Sequence, residues 1–289
     1  MTGTDREKPR RWNRRLLAAG MVLLALMASY VLMLRYFRVS ELPREQHFGV
    51  AGAAEPMGQV YIEPVSVDAL NEEMQVRVYL SPSLSRGEDG YAVTDRDLTV
   101  IVTHDKIATE LKLASADHSA ATTFDLGLDD GSVNDYPLDA YRARLRVQLL
   151  DGKSSLELPV RVTIWEGLLG FTLHTTGQPG RNPDDVELTT VITRSGAFAM
   201  FALCEYGAMV VLAFSALTVG FLIFGGVRRP DAGLIGALAA IVFALPAFRS
   251  ALPGSPPLGV EADLWVFLWT ELATVLALAL LVFKWARAA

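Results

Sequence analysis

Three ionisable residues set in apolar surroundings, Glu205, Arg249 and Glu271, are where chemistry would first be sought in this chain. A charge among apolar residues of a membrane-length run is costly unless it is paired or hydrated. At 1.5 Å per helical residue, Glu271 stands about 20 Å from Lys284, Arg249 about 27 Å from Asp231, and Glu205 about 33 Å from Val227. An arginine side chain reaches several ångströms, so Arg249 is expected to bridge both glutamates and hold three helices together. The competing chemistry is a proton or ion path along the same carboxylates. Transport folds more usually show several buried polar residues and broken helices in repeated halves. Other chemistry is thin. His47, His104, His118 and His174 share no short ligand spacing, so no metal site is expected. The single cysteine, Cys204, lies in an apolar run away from any evident base and can form no internal disulfide. No nucleophile elbow, phosphate loop or dinucleotide fingerprint is present. The sequence predicts a non-enzymatic protein without a cofactor.

The elements that must position these residues are four apolar runs, at 16–34, 196–227, 232–248 and 264–283. About 20 apolar residues suffice to cross a hydrocarbon core of roughly 30 Å as a helix. Residues 1–15 form a basic tail with Arg6, Lys8, Arg10, Arg11, Arg14 and Arg15; Arg228 and Arg229 fill the joint between the second and third runs; Lys284 and Arg287 lie in the tail 284–289. Basic residues favour the cytoplasmic side, which predicts a multi-pass protein of the plasma (inner) membrane with both termini inside. The segment 35–194 and the loop 249–263 are then outside. The first run is longer than a typical signal-peptide core, and Arg35 and Arg38 follow it where small residues would be needed for cleavage. An uncleaved signal anchor is expected.

The formal charge of −6 hides an asymmetry, because residues 40–194 hold roughly 25 acidic against roughly 13 basic side chains. Such a surface repels polyanions and argues against nucleic acid as a partner. Period-two alternation, the pattern of a half-buried strand, recurs at 59–67, 74–80, 98–103, 109–113, 122–128, 141–150, 156–165, 168–174 and 186–193. Turn-forming residues separate these stretches, and Asp151-Gly152 is the clearest hairpin signal. The expected fold class is therefore mixed: four transmembrane α-helices, one before and three after an extracytoplasmic all-β sandwich of two antiparallel sheets. The last strand stops about three residues before the second apolar run, too short a joint to decouple domain from membrane.

The loop between the third and fourth runs carries Pro253, Gly254, Pro256, Pro257 and Gly259. Prolines fix φ and glycines permit turns that other residues cannot make, so a stiff, shaped loop is expected that could dock the β-domain or another protein. Glu261 and Asp263 fall where the start of the fourth helix favours negative charge. Arg249 with this loop, followed by Trp265, Trp269 and Glu271, resembles the uncharacterised membrane-protein family known as domain of unknown function 4436. Tyr136, Pro137, Asp139 and Tyr141 are similar to that family's Tyr-Pro-x-Asp-x-Tyr segment. The resemblance implies the arrangement of domain and spans and no established activity. Asp139 is expected to stabilise a turn entering the next strand through side-chain to backbone bonds. The expected partners are the lipid bilayer and a protein partner or a second copy of the chain, met through a β-domain acting as a protein-binding or envelope-assembly module. A small transporter, channel or accessory subunit is the alternative.

Overall fold

The computed structural model describes residues 17, 20–21, 23–25, 27–35, 44–49, 58–82, 85–86, 92–94, 96–104, 107–115, 117–180, 182 and 184–288. Among them are thirteen strands: β1 (Glu45–Gly49), β2 (Gly58–Asp68), β3 (Glu73–Pro82), β4 (Ser85–Arg86), β5 (Ala92–Val93), β6 (Leu98–His104), β7 (Ile107–Leu113), β8 (Ala120–Gly127), β9 (Ala140–Asp151), β10 (Glu157–Leu158), β11 (Val160–Trp165), β12 (Phe171–Pro179) and β13 (Val186–Arg194). One sheet has the order β1-β11-β2-β3-β8, the other β12-β13-β9-β6-β7 with β10 beside β9, and β4 pairs with β5. The expected sandwich is present, with one departure from two purely antiparallel sheets: β11 runs parallel to β2.

Alternation places the core. Val60 and Ile62 of β2 and Met74, Val76, Val78 and Leu80 of β3 turn inward from one sheet. Leu98, Val100 and Val102 of β6 and Tyr141, Ala143, Leu145, Val147 and Leu149 of β9 meet them from the other. Because successive side chains of a strand point to opposite faces, this pattern also fixes the register.

The stretch expected as one strand over 156–165 is divided at Pro159 into β10, which stays with β9, and β11, which joins the other sheet. Proline lacks the N–H that a continuous ladder requires. The Asp151-Gly152 turn does connect antiparallel strands, as a longer loop in which the Asp151 carboxylate accepts the Lys153 and Ser154 N–H groups at 2.9 and 3.0 Å. The stretch expected over 168–174 begins as a strand at Phe171 and extends to Pro179.

Among the described residues three helices are long and apolar enough to cross a membrane. They comprise α2 (Gly196–Phe224), α3 (Ala232–Ser250) and α4 (Leu268–Ala288), the last prolonged at its start by a π-helical turn over Asp263–Phe267. A shorter apolar helix, α1 (Leu23–Arg35), belongs to the first expected run, much of which lies outside the described residues. The second run was expected to stay helical to residue 227, but α2 stops at Phe224, where Gly225 caps it and Gly226 takes φ +77°. The α2–α4 seam is built on Ala213, Ala216 and Gly220 against Thr270, Thr274 and Ala277, all buried. A Cβ at Gly220 would lie 3.0 Å from the Ala277 Cα, so only glycine permits this approach. No linker intervenes between sandwich and helices: Arg194 ends β13, Ser195 caps the next helix by accepting the Phe198 N–H, and Gly196 begins α2.

Candidate functional site: the junction of sandwich and helices

The junction is assembled from two buried arginines, each held by an aspartate that a tyrosine also contacts. The first arises in the sandwich. Thr193 of β13 pairs with Ala140 of β9, which brings Arg194 beside Asp139. The Arg194 Nε donates to both Asp139 carboxylate oxygens at 3.0 Å, and the Tyr141 hydroxyl donates to Oδ2 at 3.0 Å. Both Arg194 and Asp139 are buried. The guanidinium carbon lies 4.7 Å from the Phe171 ring centroid, 5.4 Å from Tyr136 and 5.9 Å from Phe198. Aromatic faces attract a cation through their quadrupole, and desolvation strengthens that attraction.

The second arises at the end of the helices. Arg249, in the last turn of α3, donates through Nε and Nη2 to the Asp263 carboxylate, the Nη2 bond measuring 2.7 Å. The same Nη2 donates to the carbonyl oxygens of Pro256 and Pro257 at 3.1 and 2.8 Å. Asp263 also accepts the Gly259 N–H at 3.0 Å and the Tyr206 hydroxyl at 3.2 Å. A cation closes the C-terminal end of α3 and an anion opens the helix that follows, as the helix dipoles favour. The proline carbonyls, whose residues have no N–H to offer, face the arginine.

Tyr136 joins the two. Its hydroxyl donates to the Pro253 carbonyl at 2.9 Å, and its buried ring packs with Ala202, Tyr206, Met209, Leu245, Leu252 and Val260. Burial raises its phenol to about 12, with Arg194 and Arg249 pulling the other way and Asp139 and Asp263 adding to the rise. Burial likewise raises the Tyr141 phenol, and the neighbouring Asp139 adds to it. Gly254, at φ +73°, lets the loop pass against Arg194: a Cβ there would meet Nη1 at 2.7 Å. The proline-glycine loop is thus a socket that receives a sandwich side chain.

The expected bridge from Arg249 to Glu205 and Glu271 is not formed; Arg249 is committed to Asp263 and the loop carbonyls. Glu271 lies about 12 Å further along the helix than Asp263, out of reach once the loop has folded back. Among the described residues neither Glu205 nor Glu271 has a hydrogen bond or ion pair, and both are half-buried. Asp139, expected to brace a turn through its backbone, is instead an ion-pair acceptor. Sequence reading missed Arg194, Tyr206 and Asp263 as partners. The clue to Arg194 was its place at the end of a strand whose preceding residue, Thr193, pairs with Ala140 at the start of β9.

No nucleophile is set beside a base here. Among the described residues no group of three or more His, Cys, Asp or Glu side chains is placed to hold a metal. His104 is buried and stacks on Phe124 at 5.4 Å between centroids, and His47 Nδ1 is 3.0 Å from the Thr163 hydroxyl. What the junction can do is mechanical: it fixes the orientation of a β-sandwich on helices of membrane-crossing length.

Comparison with known families agrees with this division. Residues 49–191 match the family described as "Domain of unknown function (DUF4436)", and residues 194–288 match "Domain of unknown function (DUF8686)". The resemblance of the sandwich to the first family is therefore shown. The proline-glycine loop and the tryptophan-bearing helix, attached to that family on sequence, fall within the second match. The junction is made by residues from both: Tyr136 and Asp139 from one, Arg194, Pro253 and Arg249 from the other. No curated protein matches the chain.

Proposed function

We propose that the chain is a non-enzymatic membrane protein whose β-sandwich is a protein-binding or envelope-assembly module held at a fixed attitude to the bilayer. The observation that carries this reading is the linkerless junction sealed by Arg194–Asp139 and Tyr136–Pro253. A flexible tether would suit a domain that searches for its ligand. A buried, ion-paired seat suits a surface that must present itself in one direction. The proposal includes four crossings of the plasma (inner) membrane, residues 16–34 as an uncleaved signal anchor, both termini cytoplasmic and the sandwich extracytoplasmic. The basic tails and the Arg228-Arg229 joint support that sidedness. Glu45 of β1 pairs with Trp165 at the end of β11, so the chain enters and leaves the sandwich near the helices, as one crossing before and three after require.

Purification of the intact protein in mild detergent tests the assembly role: a stoichiometric protein partner is the expected result. A second reading, a small transporter, channel or accessory subunit, is favoured by one observation: among the described residues Glu205 and Glu271, in apolar helices, have no partner. A lone oligomer that gives proton-dependent flux in liposomes would overturn assembly in favour of transport.

A further inference from the structure

Among the described residues of the sandwich, the large apolar side chains left mostly exposed are Leu70, Ile107, Leu138, Leu156 and Leu169, between 60 and 82% exposed. Single exposed apolar residues are ordinary on a protein surface. Their distribution over this domain is not even.

The strand registers define which end each occupies. Thr193 opposite Ala140 puts the end of β13 and the start of β9 at the helix end. Leu98 opposite Asp151 and Thr103 opposite Arg146 run β6 toward that end but stop it level with the middle of β9, so Ile107, opposite His104, sits partway along the flank. The Leu128 N–H donates to the Glu72 carbonyl at 2.7 Å next to the Asp129–Arg142 bridge, which brings the β2–β3 turn there too. The Ser195 N–H donates to the Gly170 carbonyl at 2.9 Å, which does the same for the β11–β12 connection. Leu70, Leu138 and Leu169 therefore stand at three separate turns of the helix end, Ile107 partway along the flank, and Leu156 at the far end.

Two of the three at the helix end adjoin residues already in contact with the helices or their loop. Leu138 follows the Tyr136-Pro137 pair, and Leu169 precedes Gly170, whose backbone lies against the Phe198 ring of α2. In the α3–α4 loop and the π-helical turn, Leu258 and Trp265 are exposed as well.

We propose that these side chains form a lipid-contacting rim, by which the sandwich rests in the headgroup–acyl boundary of the leaflet nearest to it. The occupant follows from continuity with the helices: α2 to α4 cross the bilayer, and the rim begins where they end. At the same end Asp129 and Asp130 pair with Arg142 and Arg144, leaving Glu72 and Asp135 as a small negative excess, so the rim suits zwitterionic phospholipid. This rests on the helices crossing a membrane and not on the assembly role or the sidedness.

The test uses the full chain in phosphatidylcholine nanodiscs with Cys204→Ala and one new cysteine at a time: L70C, L138C and L169C, with I107C as a mid-flank and L156C as the far-end reference. Each carries an environment-sensitive fluorophore. The expected result is emission at shorter wavelength for the three rim positions than for L156C, with quenching by phosphatidylcholine spin-labelled near its headgroup. Rim labels that match L156C would overturn the proposal. A shift without quenching by the lipid label would also overturn it, by assigning the rim to a protein contact such as a second copy. Failure of the chain to enter nanodiscs would instead sink the membrane reading beneath it.

Discussion

At the sandwich end of the helices each buried charge meets an opposite charge and a hydroxyl: Asp139 takes Arg194 and Tyr141, Asp263 takes Arg249 and Tyr206. On the same helices as Tyr206 and Asp263, Glu205 beside the first and Glu271 about two turns past the second have neither among the described residues. The difference separates two uses of charge in apolar surroundings. In the junction, burial is nearly complete and every carboxylate is satisfied, so the charges specify one docking geometry. Along the helices, the two glutamates are half-buried and have no partner among the described residues, so they fix no packing among those residues. A buried ion pair adds little against a well-packed apolar substitute, yet removing one member leaves an uncompensated charge.

The largest effect is therefore expected for Arg249→Ala. It strands the Asp263 carboxylate and removes the donor to Pro256 and Pro257, and should cost about 3–5 kcal/mol in thermal or denaturant unfolding of the detergent-solubilised protein. A loss below about 1 kcal/mol would mean that the pair is solvated and the contrast with the glutamates false. Gly254→Ala comes next. It places a Cβ at φ +73° and 2.7 Å from Arg194 Nη1, and should cost about 1–3 kcal/mol and loosen the sandwich on its seat. Protease sensitivity of the joint at residues 194–196 would report that loosening.

Much of this fold was legible beforehand, because alternation along β2, β3, β6, β9 and β13 is set by one face being buried. The strand β1 was missed: Gln46, His47 and Phe48 carry no apolar alternation, and their ladder comes from β11. The division at Pro159 needed only the missing N–H to be taken seriously. At the junction, Tyr136, Asp139, Arg249 and the loop were recognisable as special residue types, but their partners were not. Arg194 reaches Asp139 across 55 positions through the β9–β13 register, which a single sequence does not print. Asp263 reaches Arg249 because the loop folds back on itself, and a reading based on helix periodicity assigned that aspartate to the helix dipole alone.

A subtler break of the comparison is Tyr136→Phe, which keeps the ring among Leu252 and Val260 and deletes only the hydroxyl bond to Pro253. A loss of about 0.5–1.5 kcal/mol is expected. The substitution also has a pH signature. The folded chain holds the Tyr136 phenol at about 12, above its ordinary value of 10.0, so the fold favours the neutral form. Its contribution is complete below the ordinary value and is lost as pH rises toward the folded one. Wild type should accordingly lose stability more steeply than Y136F between about pH 10 and 12 in unfolding measured across that range. Parallel curves would show that the phenol is not shielded by the seat.

The smallest effect is expected where the sequence first drew attention. Glu271→Gln removes a charge that no described group neutralises, so unfolding should change by no more than about 0.5 kcal/mol, or shift toward greater stability as a desolvation cost disappears. A marked destabilisation would show that Glu271 has a partner and would erase its contrast with Asp263. The same variant separates the two functional readings through a different measurement. If the carboxylate conducts protons, E271Q abolishes proton-dependent flux while folding and partner binding persist. If the helices only carry the sandwich, a stoichiometric partner still co-purifies with E271Q, whereas loosening the seat with Gly254→Ala weakens that association. Gly254 lies in the loop and Glu271 on the helix that follows it, so the two substitutions act at separate places and should fail in opposite assays.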